Sequence, residues 1–175
     1  MNVTAKQYPI VKMSELFADL PIRACNQVLA EARPKDFAAR DMIFAAGDPT
    51  KEVFLLVTGQ ARVMQFSRNA EGVLLQCELP GELIGEIAPV PGGGTHSSTA
   101  QADRDCKTLV WDSPAFEAAA MRLPILQRNR ERIAGRRIRE LEDRFCEVSD
   151  GDSLAACGSY AASVAKPNWL PPVEG

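Results

Sequence analysis

The chain has 175 residues, of which 46% are hydrophobic and 25% charged, which suits one globular domain with a modest extension. Its formal net charge of −3 at pH 7 excludes a global positive field that would draw it to nucleic acid or to an anionic membrane. No apolar run approaches the roughly 20 residues of a membrane helix, and residues 1–10 lack the pattern of a secretory signal. The 5 cysteines are scattered without C-x-x-C spacing, as is typical of reduced thiols and not of a disulfide framework or metal site. The sequence therefore predicts a cytoplasmic protein.

The N-terminal part is predicted to be helical. Ser14 is placed to cap a short turn, and a helix is expected from Pro21, because the fixed φ of proline suits a first helical position. Pro34 is expected to end that helix. Apolar residues recur in it at three- and four-residue spacing and predict one buried stripe, formed by Ile22, Cys25, Val28, Leu29 and Ala32.

Short apolar or alternating segments follow between Arg40 and Trp111, with turn residues between them. The segments are 42–44, 53–57, 61–66, 73–79 and 108–111. Many short strands at near-regular spacing predict an antiparallel barrel or sandwich. One helical turn is expected over residues 84–88.

The last part of the chain is predicted to contain a short and a long helix. A capping hydroxyl and a proline at Ser113-Pro114 start the first, and Pro124 starts the second. Apolar residues of the long helix fall at alternating four- and three-residue spacing, which is a heptad seam made of Ala134, Ile138, Leu141, Phe145 and Val148. About two heptads do not decide between a partner helix and packing on the chain's own barrel. Residues 150–175 are mostly Ala, Gly, Ser and Pro and are predicted to be a disordered tail.

The segment from Gly81 to Ala102, GELIGEIAPVPGGGTHSSTAQA, carries residues suited to binding an anion. Gly81 and Gly85 permit tight turns, and a helical turn from about Glu86 would direct backbone amides toward an anion at its start. The Glu86 carboxylate is suited to accept hydrogen bonds from ligand hydroxyls. Four hydroxyl side chains and one imidazole follow in residues 95–99, THSST, although a plain turn also explains such a cluster.

GELIGEI, followed ten residues later by Ser97, resembles the phosphate-binding cassette of cyclic-nucleotide-binding domains. The chain as a whole is similar to the effector domain of Crp/Fnr-type transcription regulators, including the turn and strand GDPTKEVFLLVTGQARV. The resemblance implies a mostly β protein with flanking helices, an antiparallel β-roll or jelly-roll followed by a long dimerisation helix. It divides the chain into the β-roll with its N-terminal helices (1–123), the dimerisation helix (124–149) and the tail (150–175).

The resemblance also implies a ligand site, made of Gly85, Glu86, Ile87, His96, Ser97, Ser98, Leu141 and Glu142. The family's ribose-binding glutamate matches Glu86, but its phosphate-binding arginine falls on His96, and its two adenine contacts fall on Leu141 and Glu142. Arginine is always charged, whereas imidazole has an ordinary pKa of about 6.5 and is mostly neutral at pH 7. These departures predict that cAMP does not bind in the family's standard mode. The effector is therefore unknown, with a cyclic nucleotide as a disfavoured candidate, and a solvated loop position for His96 is the alternative.

The predicted function is that of a ligand-sensing module of a Crp/Fnr-type regulator, which binds a small effector and forms a homodimer. DNA contact is expected only through a helix-turn-helix domain that residues 150–175 are too short to form, and no membrane contact is expected. No catalytic set and no metal-ligand pattern is recognisable, so the chain is not expected to be an enzyme. A genuine cyclic-nucleotide-binding protein and a haem or gas sensor of the same family remain open alternatives, as do truncation, frameshift and a stand-alone sensor.

Overall fold

The structure, a computed structural model, describes residues 8–66, 72–85 and 94–149, with residue 8 and residues 144–149 described by their backbone alone. The chain forms two compact units, Met1–Ala134 and Gly135–Gly175. Within the described ranges, none of the helices combines the length and the apolar character needed to cross a bilayer.

Two antiparallel sheets of four strands build the first unit. The strands are β1 (Arg33–Phe37), β2 (Met42–Phe44), β3 (Glu52–Thr58), β4 (Ala61–Phe66), β5 (Gly72–Glu78), β6 (Leu83–Ile84), β7 (Thr99–Ala102) and β8 (Cys106–Asp112). The first sheet has the strand order β1-β8-β3-β6, and the second has the order β2-β7-β4-β5. The antiparallel two-sheet arrangement predicted from the turn spacing is therefore confirmed.

Three strands, β1, β6 and β7, were not among the predicted segments. Pro34 lies inside β1 instead of ending a helix. Strand β1 is at the edge of its sheet and pairs with β8 on one side. Proline is tolerated in such a strand, because the open side needs no N–H donor for a neighbouring strand. Ile84, expected to begin a helical turn, lies in β6 and pairs with Phe54 of β3. The rest of that predicted turn, residues 86–88, lies outside the described residues.

Helices flank the sheets. They are α1 (Tyr8–Met13), a 3-10 turn (Glu15–Phe17), α2 (Ile22–Ala30), α3 (Ser113–Arg122) and α4 (Pro124–Ser149). The hydroxyl of Ser14 accepts a hydrogen bond from the backbone N–H of Leu16 at 3.3 Å, which confirms the predicted cap. The predicted stripe of α2 is buried except for Ile22, which is 56% exposed because it is the first residue of the helix and lies at the edge of the stripe.

Strand β3 is apolar from Val53 to Val57 because both of its faces are buried there. Val53, Leu55 and Val57 belong to a core that the first sheet forms with the helices. Phe54 and Leu56 belong to a second core between the two sheets. A strand buried on both faces has no solvated side chains, which explains a continuous apolar run where an alternating one would face water on one side.

Buried polar contacts position the helices on the first sheet. The indole Nε1 of Trp111 in β8 donates to the carbonyl of Val28 in α2 at 2.7 Å. Asn129 of α4 is fully buried, and its Nδ2 donates to the carbonyls of Leu16 at 2.9 Å and Ala18 at 2.7 Å. Each bond joins a buried side chain of one element to the backbone of another, so the bonds help to specify one docking position.

Candidate functional site

Backbone hydrogen bonds join the segment after the cassette to the turn between β2 and β3. The N–H of His96 donates to the carbonyl of Asp48, and the N–H of Gly47 donates to the carbonyl of His96, both at 2.8 Å. The N–H of Thr50 donates to the carbonyl of Gly94 at 2.9 Å. Together these bonds form a short antiparallel pairing, so the backbone of His96 is fixed by the same turn that connects the two strands.

The side chain of His96 is buried against Phe44. The two rings are parallel within 10°, and their centroids are 3.7 Å apart. His96 is only 6% exposed, and the Phe44 ring in turn contacts Phe54 with a centroid distance of 6.0 Å. The solvated loop position is therefore wrong: His96 belongs to an aromatic stack that continues into the core between the sheets.

Gly85 lies against the same phenylalanine ring. Its φ is +78°, and a Cβ at this position would lie 2.3 Å from Cζ of Phe44. Any side chain here would therefore need both a left-handed backbone and a displaced ring. Gly85, which lies within GELIGEI, and His96, which follows it, thus converge on Phe44, a residue that the sequence analysis did not select.

The other predicted site residues are placed as follows. Ser97 is exposed and Ser98 is buried. Leu141 and Glu142 are exposed on α4 in the second compact unit. Glu86 and Ile87 lie outside the described residues. Of the predicted set, the first unit thus brings together Gly85 and the segment from His96 to Ser98.

A buried arginine was also missed. Arg62 of β4 has a side chain only 6% exposed, and its Nη2 is 3.1 Å from Oδ1 of Asp103. Its neighbours Ala61 and Val63 belong to the core between the sheets, so strand alternation directs Arg62 to the opposite face. Arg62 therefore does not supply the roll interior with the cation that position 96 lacks. The sequence signal was an arginine between two apolar strand residues.

An ion cluster lies beyond Phe54 on the first sheet. The Nζ of Lys35 is 5.5 Å from the centre of the Phe54 ring and 3.2 Å from Oε2 of Glu52, which also pairs with Arg33. Burial alone would raise the pKa of Glu52, but the hydrogen bonds from Arg33 and Lys35 outweigh it and hold that pKa below its ordinary value. Arg33 further pairs with Asp112 at 3.6 Å, so each cation of the cluster has an acidic partner.

Within residues 8–66, 72–85 and 94–149, no three His, Cys, Asp or Glu side chains are grouped so that they could hold a metal ion. Burial raises the pKa of the thiols of Cys25 and Cys106, which favours their uncharged form over the thiolate that binds metals.

Comparison with known proteins identifies the class. The model of the cyclic nucleotide-binding domain matches residues 34–122, just over half of the chain. The chain therefore belongs to the cyclic nucleotide-binding domain family, and the predicted β-roll followed by a long helix is confirmed.

The relatives of the chain include regulators of the Crp type. The cyclic AMP receptor protein of Thermus thermophilus is 26% identical over 132 residues, which cover 75% of this chain and 61% of that protein. The crystal structure of the catabolite activator protein of the same organism has a TM-score of 0.68 at 25% identity, covering 78% of this chain and 63% of the other. The c-di-GMP responsive regulator CLP of Xanthomonas campestris shares the fold, with a TM-score of 0.66 at 13% identity over 74% of this chain and 65% of that one. This chain thus spans less than two thirds of each of the three.

Proposed function

We propose that the chain is the effector-sensing module of a Crp-type regulator, and that a small effector contacts Gly85 and the segment from His96 to Ser98. The observation that carries the proposal is the convergence of Gly85 and His96 on the Phe44 ring. Residues far apart along the chain meet there, in the family's β-roll, and Gly85 lies within the motif that resembles its phosphate-binding cassette.

We propose further that this effector is not cAMP bound in the family's standard mode. The imidazole of His96 is shorter than an arginine side chain, is stacked on Phe44 and is almost fully buried. The backbone of His96 is hydrogen-bonded to Asp48 and Gly47, which opposes a movement of the whole residue toward a ligand. A charge-assisted hydrogen bond contributes about 1.5–3 kcal/mol, or roughly ten- to a hundredfold in affinity, and that contribution is missing here.

Calorimetry with cAMP, cGMP and cyclic di-GMP tests this proposal. We expect weak or no binding of cAMP by the wild type, and an affinity roughly ten- to a hundredfold higher for His96→Arg. Thr95→Arg is the matched control. Thr95 is exposed, and an arginine there adds the same charge one residue away from position 96. An equal gain in both variants would show only a general attraction between charges.

A comparison of binding at two pH values tests whether the imidazole of His96 contacts the effector as a cation. If His96 binds an anionic effector, affinity rises from pH 8 to pH 5.5, because only the imidazolium carries a positive charge. His96→Arg remains charged at both values and should lose this dependence. Micromolar or tighter cAMP binding by the wild type at pH 8 contradicts the proposal.

That last result would support the second candidate function, an ordinary cyclic-nucleotide sensor. The observation that favours it is the 26% identity to a protein named as a cyclic AMP receptor. In either case the proposed role is binding and not catalysis. Incubation with the same nucleotides, followed by chromatography, should therefore return them unchanged, and turnover of any of them would contradict this role.

We also propose that the chain forms a homodimer through α4. In the second compact unit, Ile138 is 57% exposed and Leu141 is 42% exposed, as expected for seam residues that need a partner helix. The side chains of Phe145 and Val148, the other predicted seam residues of this unit, lie outside the described ones. A two-fold pairing would bury this apolar stripe on both copies.

Sedimentation equilibrium tests the dimer. We expect twice the monomer mass at tens of micromolar, and a shift to the monomer for Ile138→Asp. Arg139→Asp is the control, because Arg139 is exposed and is not part of the seam. A wild-type monomer, or equal dissociation of both variants, would contradict an interface at the seam.

A further inference from the structure

Thr50 contacts both the His96 segment and the start of α3. Its backbone N–H and its Oγ1 both donate to the carbonyl of Gly94 at 2.9 Å. Its own carbonyl accepts a hydrogen bond from the hydroxyl of Ser113 at 3.0 Å. One threonine thus joins the segment that carries His96 to the first residue of a helix that is far from it in the sequence.

The contact with Ser113 corrects a prediction. Ser113 was expected to cap α3 with its hydroxyl, but Asp112 occupies the N-cap position and the Ser113 hydroxyl donates to Thr50 instead. The N–H of Ser113 donates to the carbonyl of Lys51 at 2.8 Å. The start of α3 is therefore anchored to the turn between β2 and β3 by two hydrogen bonds.

Helix α3 is in turn fixed to the first part of α4. Oε1 of Glu117 is 2.7 Å from Nη2 of Arg130, whose side chain is only 5% exposed. The same guanidinium lies over the ring of Phe116 at 5.5 Å from its centre. A displacement of α3 therefore moves or strains a buried ion pair on the helix that follows it.

We propose that Thr50 is a relay that couples the position of the His96 segment to the start of α3. Both hydrogen bonds of the Gly94 carbonyl end on Thr50, so a shift of the segment must pull on Thr50 or break these bonds. A shift of Thr50 displaces the carbonyl that holds Ser113. A regulatory role of this coupling rests on the proposed effector site, whereas the coupling itself does not require an effector.

Amide hydrogen exchange measures the coupling, because spatial proximity does not prove it. The perturbation is His96→Ala, read at the N–H of Ser113, in the wild-type and in the Thr50→Val background. We expect His96→Ala to speed exchange at Ser113 by about two- to tenfold in the wild type, as for loss of one neutral hydrogen bond. Valine matches the shape of threonine and lacks only the Oγ1 donor, while the backbone N–H at position 50 still donates to Gly94, so in Thr50→Val the effect of His96→Ala should be reduced.

Two further variants keep the test decisive. Ser113→Ala removes the hydroxyl that donates to Thr50 but keeps the backbone bond to Lys51, and it should likewise reduce the response, read at the neighbouring α3 amides. Thr58→Val, an exposed threonine at the far end of β3, should leave the response unchanged. No response of Ser113 to His96→Ala in the wild-type background, or a response of undiminished size in both Thr50→Val and Ser113→Ala, overturns the relay. Because no nucleotide is used, such a failure is distinguishable from failure of the proposed effector site.

Discussion

Replacing Gly85 by alanine should destabilise the protein through two effects. The first is backbone strain, because Gly85 has a φ of +78°, a left-handed conformation that costs a residue with a Cβ about 1–2 kcal/mol. The second is overlap with the Phe44 ring, since the new Cβ would lie 2.3 Å from Cζ and 3.0 Å from Cε1. The ring cannot give way freely, because His96 stacks on it at 3.7 Å and Phe54 packs at 6.0 Å.

The two effects predict a larger loss of stability than strain alone. Forcing an extra methyl group into a packed core typically costs about 1–3 kcal/mol. Together with the strain, Gly85→Ala should lower the free energy of unfolding by about 2–5 kcal/mol. Gly47→Ala is the matched control, because Gly47 has a φ of +91° but a Cβ there would have nothing within 4 Å. It should lower the free energy of unfolding by only about 1–2 kcal/mol.

Urea denaturation followed by circular dichroism measures both variants. A third variant, Phe44→Leu, removes the far end of the ring, so in its presence the loss caused by Gly85→Ala should fall to that of Gly47→Ala. The resulting coupling between positions 44 and 85 is about 1–3 kcal/mol. Equal losses for Gly85→Ala and Gly47→Ala, or additive losses for Gly85→Ala and Phe44→Leu, would refute the argument that Gly85 is packed on this ring.

Two further predictions concern buried and half-buried polar groups. Glu52→Gln should cost about 0.5–1 kcal/mol of unfolding free energy at pH 7. Because the folded-state pKa of Glu52 lies below its ordinary value, this stabilisation is present above that ordinary value and is lost as pH falls through the folded pKa, so urea titrations in acid should show no difference from the wild type. Asn129→Asp places a carboxylate against the carbonyls of Leu16 and Ala18 and should cost about 3–5 kcal/mol at pH 7, partly recovered in acid, where a protonated carboxyl donates again. Thermal melts at several pH values compare Asn129→Asp with Gln127→Glu on the same helix. An equal loss of stability in both variants would contradict a specific role of Asn129.

Local patterns in the sequence predicted much of the fold. The alternating and apolar segments between turn residues correspond to strands because burial of one or both faces imposes that pattern. Strand β1 escaped prediction because RPKDF is mostly charged and contains a proline, and only its pairing with β8 makes it a strand. Edge pairing of this kind is a tertiary contact that no local pattern records.

Side chains that bond to distant backbone were equally hidden. A serine before Pro114 is a common start of a helix, yet the hydroxyl of Ser113 is used by Thr50, which lies in a turn much earlier in the chain. Both arrangements satisfy the hydroxyl, and the sequence contains no feature that separates them. The helix start was therefore predicted correctly to within one residue, while the partner of its first side chain was not.

The burial of His96 was not predictable from the residues around it in the sequence. Thr95, Ser97 and Ser98 surround His96 with polar side chains, which favours an exposed loop. Pairing with the turn at Gly47 and Asp48 instead fixes the backbone at position 96, and the imidazole stacks on Phe44, the last residue of β2. An arginine has a longer side chain with a charged end that remains hydrated, so it is suited to reach past this ring toward a ligand. In the site that we propose, His96 therefore forms part of the aromatic stack with Phe44 and does not extend a charged group toward the ligand.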